Sequence, residues 1–218
     1  MAKKQTAAAT RNPQRSKQAL IDAGIEVFAR LGPNAATIEE ICAKASLNKR
    51  LAYHYFGGKE GLYEAVLEIV YREFYSLEIE LGSMLLPAEK LLQTLVARYH
   101  EFNSTHPAFV RLISYENLNE GRTAGRLNLK DQKAPVITAL RLALKKGQEE
   151  GKFRKSIDVH DLLISIVAMC FFYFSNRHTM ALLLGAEPLG PGHMKQRVDH
   201  VVELLLNGIS VGPGGGKK

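Results

Sequence analysis

Residues 37–62, TIEEICAKASLNKRLAYHYFGGKEGL, contain the start and stop signals of two short helices and the start of a longer one. Thr37 is followed three residues later by Glu40, which is the spacing of a capping box: the hydroxyl accepts from a free amide of the first turn, and the carboxylate reaches back to the cap. The apolar positions that follow form one narrow stripe, made of Ile38, Ile41, Cys42 and Ala45. A stripe of this length predicts a helix of about two turns.

A three-residue break at 46–48 separates this helix from the next. Asn48 is a good cap for a second short helix over about 49–55, and the two glycines at 57–58 end it. A long helix is predicted over about 59–81. Two short helices joined by such a break form a helix–turn–helix, whose second helix can place basic side chains in a DNA major groove about 12 Å wide.

Most of the net positive charge lies in the N-terminal quarter of the chain. The 218 residues include 29 Lys and Arg against 22 Asp and Glu, a formal net charge of +7. Residues 1–59 hold ten Lys or Arg and four Asp or Glu, which places +6 of that charge in this quarter. This asymmetry indicates an anionic polymer as the partner, nucleic acid before membrane.

Residues 37–62 resemble the DNA-binding domain of the tetracycline-repressor (TetR) family, most specifically in the segments 53–56, YHYF, and 59–62, KEGL. With Ala23, Phe28 and Gly32 the resemblance covers about residues 15–70. It implies an all-α, homodimeric repressor of operator DNA. Three N-terminal helices, including the helix–turn–helix, would bind double-stranded DNA, and a C-terminal helical domain would serve dimerisation and bind a small-molecule effector.

The resemblance also implies roles for individual residues. Lys49 and Arg50 would read bases, since Lys or Arg to guanine is the commonest specific contact. Thr37 and Lys59 would contact phosphate, as would Tyr53 and His54 in part. The predicted DNA-binding set is Thr37, Asn48, Lys49, Arg50, Leu51, Tyr53, His54 and Lys59.

Some positions leave alternatives open or depart from the family's pattern. Tyr53 either belongs to the core or donates to phosphate. Ser46 stands where the family usually has glycine, and a left-handed backbone there would cost about 1–2 kcal/mol. Leu51 stands where a small polar residue is common and Ala52 where a larger apolar one is usual, so Leu51 either touches a thymine methyl or repacks with Ala52.

The rest of the chain is predicted to be helical almost throughout. The first helix runs from a cap at Asn12 to Gly32-Pro33, and later helices cover about 88–104, 107–118, 124–150, 158–183 and 193–208. The predicted organisation is a disordered basic tail at 1–11, a DNA-binding domain at 12–58, an effector and dimerisation domain at 59–210, and a disordered tail at 211–218. The faces of the helices at 158–183 and 193–208 are expected to form the dimer.

An effector pocket is expected among apolar and aromatic residues of the C-terminal domain, closed by a few polar groups. The polar candidates are Arg98, His106, Glu116 and Arg177, and nothing in the sequence chooses among them. The predicted pocket residues are Tyr99, Phe102, His106, Phe109, Met169, Phe172, Tyr173 and Arg177. The alternative for each apolar member is that it belongs to the plain core.

Other classes of function find little support in the sequence. Two cysteines cannot form a disulfide framework, and the seven histidines lack metal-ligand spacing, so neither a metal nor a cofactor is expected. No glycine-rich phosphate loop or nucleophile elbow is present, so no catalytic residue is predicted. No export signal is visible, and the apolar run at 162–174 is shorter than the about 20 residues of a membrane span, which favours a cytoplasmic protein. The alternatives are a helix–turn–helix regulator without an effector and a helical enzyme with an incidental basic N-terminus.

Overall fold

The computed structural model describes residues 13–84, 86–127, 134–185 and 192–211. These residues contain ten α-helices and no β-strand, which confirms the all-α class. The helices are α1 (Pro13–Ala35), α2 (Ile38–Ala45), α3 (Lys49–Phe56), α4 (Lys59–Gly82), α5 (Ala88–Thr105), α6 (Pro107–Leu118), α7 (Ala134–Glu149), α8 (Val159–Ser175), α9 (Arg177–Leu184) and α10 (His193–Ile209). The predicted cap Asn12 and tail 1–11 lie outside the described residues, as does the tail predicted at 211–218 except for Val211.

Two predicted helices are wrong in extent. The helix expected over 124–150 is a single 3-10 turn at Ala124–Arg126 followed, after residues outside the described set, by α7 from Ala134. The helix expected over 158–183 is two helices, α8 and α9, bent by 74° at Asn176. The Thr179 hydroxyl donates to the Asn176 carbonyl at 2.9 Å, and side-chain bonds of this kind to the backbone compete with the hydrogen bonds of a continuous helix.

The first helical segment ends where the sequence predicts. Within α1 the backbone leaves the helical conformation at Gly32, which has φ 78° and ψ 163°, and one further short turn runs to Ala35. A Cβ on Gly32 would lie 2.9 Å from the ring of Tyr115, so the position needs glycine both for its backbone and for space. The glycine-proline pair therefore ends the helix that begins at Pro13, as predicted.

The chain divides into two compact units, which share helices. The N-terminal unit is Met1–Val70 with Arg111–Leu127, and the C-terminal unit is Tyr71–Val110 with Asn128–Lys218. Helices α4 and α6 therefore contribute residues to both units.

In the N-terminal unit, α1 packs on α2 and α3 around an apolar core. Phe28 of α1 is fully buried and meets Tyr63 edge-on at a ring distance of 5.0 Å. A Cβ on Gly24 would lie 2.9 Å from a methyl of Val66, so α1 and α4 approach closely at that point. Ala52 is fully buried, which shows that a small residue fills this position of α3.

In the C-terminal unit, α5 is the central element and packs on α7, α8 and α10. Its buried face repeats at helical spacing and includes Leu92, Leu95, Val96 and Tyr99. No single helix of the described residues is long and apolar enough to cross a membrane, and only the bent pair α8–α9 passes by length and composition.

Candidate functional site

The start of α2 is fixed by the capping box that the sequence predicts. The Thr37 hydroxyl accepts from the Glu40 amide at 3.2 Å, and the Thr37 amide donates to the Glu40 carboxylate at 3.2 Å. The Thr37 hydroxyl also lies 3.0 Å from that carboxylate, to which it can donate. Because Glu40 already engages the hydroxyl, a phosphate at Thr37 would have to share this box.

The turn between α2 and α3 is closed by backbone hydrogen bonds. Ser46 is left-handed, with φ 53° and ψ 41°, and its amide donates to Ala43 at 3.1 Å. The Leu47 amide donates to Cys42 at 2.9 Å, which completes the end of α2. A serine in place of the family's usual glycine therefore costs the strain of about 1–2 kcal/mol that the sequence predicts for this conformation.

Helix α3 begins and ends where the sequence indicates. The Asn48 side chain accepts from the Arg50 amide at 2.9 Å, and Gly57, with φ 73°, ends the helix. The cap at Asn48 satisfies one of the free amides of the first turn and so holds a helix of only eight residues in place.

One face of α3 is exposed and polar. It carries Lys49, Arg50, Tyr53 and His54, which recur at helical spacing. The Tyr53 side chain is 52% exposed, so the structure does not place it in the core. Leu51 is half-buried beside the buried Ala52.

The cations of this surface differ in what they contact. The Lys49 ammonium lies 3.6 Å from Glu39 of α2, and Lys59 donates to the Asn34 carbonyl at 3.0 Å. Among the described residues Arg50 has no side-chain hydrogen bond or ion pair. Lys59 sits at the N-terminus of α4, where free amides favour an anion.

One polar candidate for the effector pocket lies in the other unit. Glu116 is buried in the N-terminal unit, where it accepts from the Tyr63 hydroxyl at 3.2 Å and from the amides of Thr123 and Ala124 at 2.6 and 2.9 Å. Its carboxylate therefore fastens the end of α6 and the following turn to α4. The sequence could not reveal this role, because Tyr63 is 53 residues away.

Half of the predicted pocket residues form one aromatic cluster. Tyr99, Phe102 and Phe109 are buried around Phe74, with ring distances to Phe74 of 5.5, 5.3 and 5.1 Å. His106 stacks on Phe102 at 4.1 Å with nearly parallel rings. Phe74 was missed by the sequence analysis.

The other predicted pocket residues lie on α8 and α9. Tyr173 is half-buried and its ring is 5.8 Å from His100, and Met169 is also half-buried. Phe172 is 50% exposed, and Arg177 donates to His178 at 3.3 Å. Among the described residues, neither Phe172 nor Arg177 has a ring contact or hydrogen bond with the Phe74 cluster.

Four polar residues of the C-terminal unit were missed: Glu78, His100, Asn103 and Arg197. Glu78 is buried and accepts from the Tyr99 hydroxyl at 2.8 Å, while burial raises the pKa of Tyr99 well above its usual value. Burial also lowers the pKa of His100 to about 4, against a raising effect of its bond to Val96. The signal that could have found His100 and Asn103 is their position in the buried stripe of α5.

The described residues contain no group of three or more His, Cys, Asp or Glu side chains placed to hold a metal ion. What the geometry does provide is a short, capped helix with an exposed basic face, held on a second short helix by a tight turn. This arrangement defines the class: a helix–turn–helix DNA-binding protein.

Comparison with known proteins specifies the family. Residues 20–66 match the model for bacterial regulatory proteins of the tetR family, and residues 87–205 match that for the tetracyclin repressor-like C-terminal domain. The HTH-type transcriptional repressor NicS of Pseudomonas putida is 31% identical, over 96% of this chain and 99% of that protein. The HTH-type transcriptional repressor SCO4008 of Streptomyces coelicolor is 26% identical, over 91% and 99%.

Solved structures show the same fold. The ketosteroid transcriptional regulator KstR2 of Mycobacterium tuberculosis superposes with a TM-score of 0.66 at 21% identity, covering 89% of this chain and 94% of that one. The fatty acid degradation regulator FadR from Bacillus halodurans gives 0.62 at 18% identity, covering 88% and 98%. The chain belongs to the TetR family of DNA-binding transcriptional regulators, which confirms the resemblance seen in residues 37–62.

Proposed function

We propose that this protein is a cytoplasmic repressor that binds a palindromic operator as a homodimer and leaves it when a small-molecule effector binds. The observation that carries the DNA-binding site is the exposed face of Lys49, Arg50, Tyr53 and His54 on the capped helix α3. Arg50 is available for a guanine edge, and Lys49 reaches a base or phosphate by leaving Glu39. Thr37 and the start of α4 at Lys59 supply phosphate contacts.

A second copy of the chain is the proposed cover for apolar side chains at the C-terminal end of the molecule. Ile164 and Phe172 of α8, three consecutive leucines of α9 and Leu204 of α10 are exposed in the single chain. A two-fold dimer carries two α3 helices, and the proposal requires them to reach successive major grooves, which lie about 34–36 Å apart. Sedimentation at micromolar concentration should show a dimer, and a pure monomer would contradict this part of the proposal.

The effector is proposed to act by a population shift between two spacings of the α3 helices. Helix α4 has residues in both units, so a change in its direction can alter that spacing. An effector that binds one spacing more tightly than the other moves the equilibrium by that difference in affinity. The proposed effector region is the aromatic cluster of Phe74, Tyr99, Phe102, His106 and Phe109, extended toward Met169 and Tyr173 of α8.

Selection of bound sites from a random DNA pool tests the DNA-binding proposal first. We expect a palindromic site and a steep decrease of affinity with salt. In the variant Lys49→Ala/Arg50→Ala, affinity for the selected site should fall at least about 100-fold, because each base contact contributes about 1–3 kcal/mol and both subunits lose it.

The control variant is Lys145→Ala/Lys146→Ala, which removes the same charge from exposed positions of α7. It should retain the sequence preference and lose little affinity. If the α3 variant stays folded and still prefers the selected site, the assignment of Lys49 and Arg50 as base readers is wrong.

A further inference from the structure

The buried face of α5 carries two hydrogen-bond acceptors that the described residues leave without a partner. They are Nε2 of His100 and Oδ1 of Asn103, on side chains that are 1% and 4% exposed. The two residues are three positions apart, so their side chains are neighbours on one face of the helix. Buried polar atoms normally have a partner, and each exception needs an explanation.

Both atoms are acceptors because a side-chain nitrogen of the same residue donates to a backbone carbonyl. Nδ2 of Asn103 donates to the Tyr99 carbonyl at 2.8 Å, which turns Oδ1 away from that carbonyl. Nδ1 of His100 lies 3.3 Å from the Val96 carbonyl, so this nitrogen carries the proton. Burial keeps the imidazole neutral by lowering its pKa to about 4, and Nε2 therefore presents a lone pair at neutral pH.

A buried donor without a partner lies in the same region. Nε of Arg197 on α10 has no hydrogen-bond partner among the described residues, and the guanidinium lies over the Tyr173 ring at 5.6 Å. His100 meets that same ring at 5.8 Å and the ring of Phe174 edge-on at 5.6 Å. The positive charge of Arg197 also contributes to the low pKa of His100, which places the two groups within electrostatic reach.

We propose that His100, Asn103 and Arg197 form the polar end of the effector site, and that the effector is a small aromatic molecule with an O–H or N–H donor and a carbonyl or carboxylate acceptor. The inference rests on the effector-responsive function proposed above. The ligand's donor pairs with one of the two acceptors, Asn103 Oδ1 or His100 Nε2, and its acceptor pairs with Arg197. The rings of Tyr173 and Phe174 favour a planar partner. An aliphatic carboxylate has no donor and would leave both acceptors unpaired.

Four probes distinguish this class of ligand from others. 4-Hydroxybenzamide and 4-hydroxybenzoate have the ring, the donor and the acceptor; benzoate lacks the donor; octanoate lacks both ring and donor. Calorimetry at about millimolar concentrations, the range in which such small molecules bind, should show both hydroxylated probes binding at least about tenfold more tightly than benzoate and octanoate. Equal binding of octanoate, or binding of none of the four, would overturn the proposal.

The variant Asn103→Leu separates a ligand role from a structural one. It removes the unpaired acceptor while keeping the side chain's approximate shape, so the melting temperature of the free protein should stay equal or rise while probe binding is lost. A purely structural asparagine would give the opposite pair of results, a lower melting temperature with any probe binding intact. Such a result would overturn the proposal.

The control is Asn117→Leu. Asn117 makes the same kind of bond, from Nδ2 to the carbonyl four residues earlier at 2.9 Å, but it is exposed and lies in the N-terminal unit. The variant Asn117→Leu should bind the probes as tightly as the unchanged protein does. A crystal structure with a probe present, in which one water bridges Asn103 and His100 and no probe is seen, would also overturn the proposal.

These experiments need no DNA, so their failure is distinct from a failure of the proposed repressor function. Binding of the hydroxylated probes without selection of an operator would support the proposed ligand site and contradict the repressor function. Selection of an operator without probe binding would support the repressor function and contradict the proposed ligand class.

Discussion

The two units treat their buried polar groups in different ways. In the N-terminal unit the buried carboxylate of Glu116 accepts three hydrogen bonds, from Tyr63, Thr123 and Ala124. In the C-terminal unit His100 and Asn103 each keep one buried acceptor without a partner among the described residues. Unpaired buried acceptors cost stability, whereas a satisfied network stabilises one arrangement of the chain.

The difference teaches what each unit is built to do. The N-terminal unit must hold a short helix in one orientation, and its functional side chains project outward from a satisfied interior. The C-terminal unit keeps polar atoms inside an apolar interior that would be more stable without them. Such atoms are expected where a ligand completes the hydrogen bonds, as proposed for α5.

The largest expected effect on stability is that of Glu116→Ala. The change removes the acceptor of the Thr123 and Ala124 amides and one hydrogen bond of the Tyr63 hydroxyl, and should lower the free energy of unfolding by about 3–4 kcal/mol. Urea denaturation measures the loss. Glu116→Gln keeps one acceptor oxygen, so its free energy of unfolding should lie between those of the unchanged protein and Glu116→Ala. Glu149→Ala, an exposed change on α7, should have almost no effect; an equally small loss for Glu116→Ala would show that the network is dispensable.

The next effect is a pH dependence that belongs to the C-terminal unit. The pKa of His100 is lowered to about 4 in the folded protein from 6.5, mainly by burial. The unfolded chain therefore binds a proton first as the pH falls, so stability is full above about 6.5 and decreases toward pH 4. The loss should approach about 3 kcal/mol at the acid end.

The variant His100→Phe isolates this contribution. Urea denaturation between about pH 4 and pH 7 should give a flatter dependence for the variant than for the unchanged protein, because other groups titrate equally in both. Parallel curves would mean that the imidazole can take up a proton inside the fold without cost.

The sequence predicted the N-terminal unit in more detail than the C-terminal one because its signals are local. The pair Thr37 and Glu40, the cap Asn48 and the terminator Gly57 each act within four residues, and the structure confirms all of them. The exposure of Lys49 and Arg50 follows from the same spacing. The left-handed Ser46 could only be inferred from the resemblance, since serine itself does not favour that conformation.

The errors have two kinds of cause, a local break in one case and tertiary contacts in the others. No glycine or proline marks the break at Asn176. The apolar periodicity therefore predicted one continuous helix across this position. Glu116 was grouped with the effector candidates because its partners are not all near it in sequence. The roles of His100 and Asn103 depend on which atoms remain unpaired after α5 packs on α8 and α10, and no pattern in the sequence records that.

The smallest expected effect is a change in DNA affinity on substitution of Glu39, on the exposed surface of the N-terminal unit. Glu39 lies 3.6 Å from Lys49 and is not part of the capping box, which uses Glu40. It therefore holds Lys49 and adds negative charge where DNA would approach. Because an exposed ion pair contributes about 0.2–1 kcal/mol, Glu39→Gln should strengthen binding to random-sequence duplex by about two- to fivefold.

The matched control for that change is Glu26→Gln, which frees Lys44 from another exposed ion pair of this unit and does not change α3. It should change affinity for random duplex less than Glu39→Gln does, as measured by fluorescence anisotropy over a range of salt concentrations. In a Lys49→Gln background the effect of Glu39→Gln should shrink, because the pair no longer exists. If the effect of Glu39→Gln is equally large in the Lys49→Gln background, Glu39 repels DNA directly through its charge. The ion pair with Lys49 would then not be the cause of the effect.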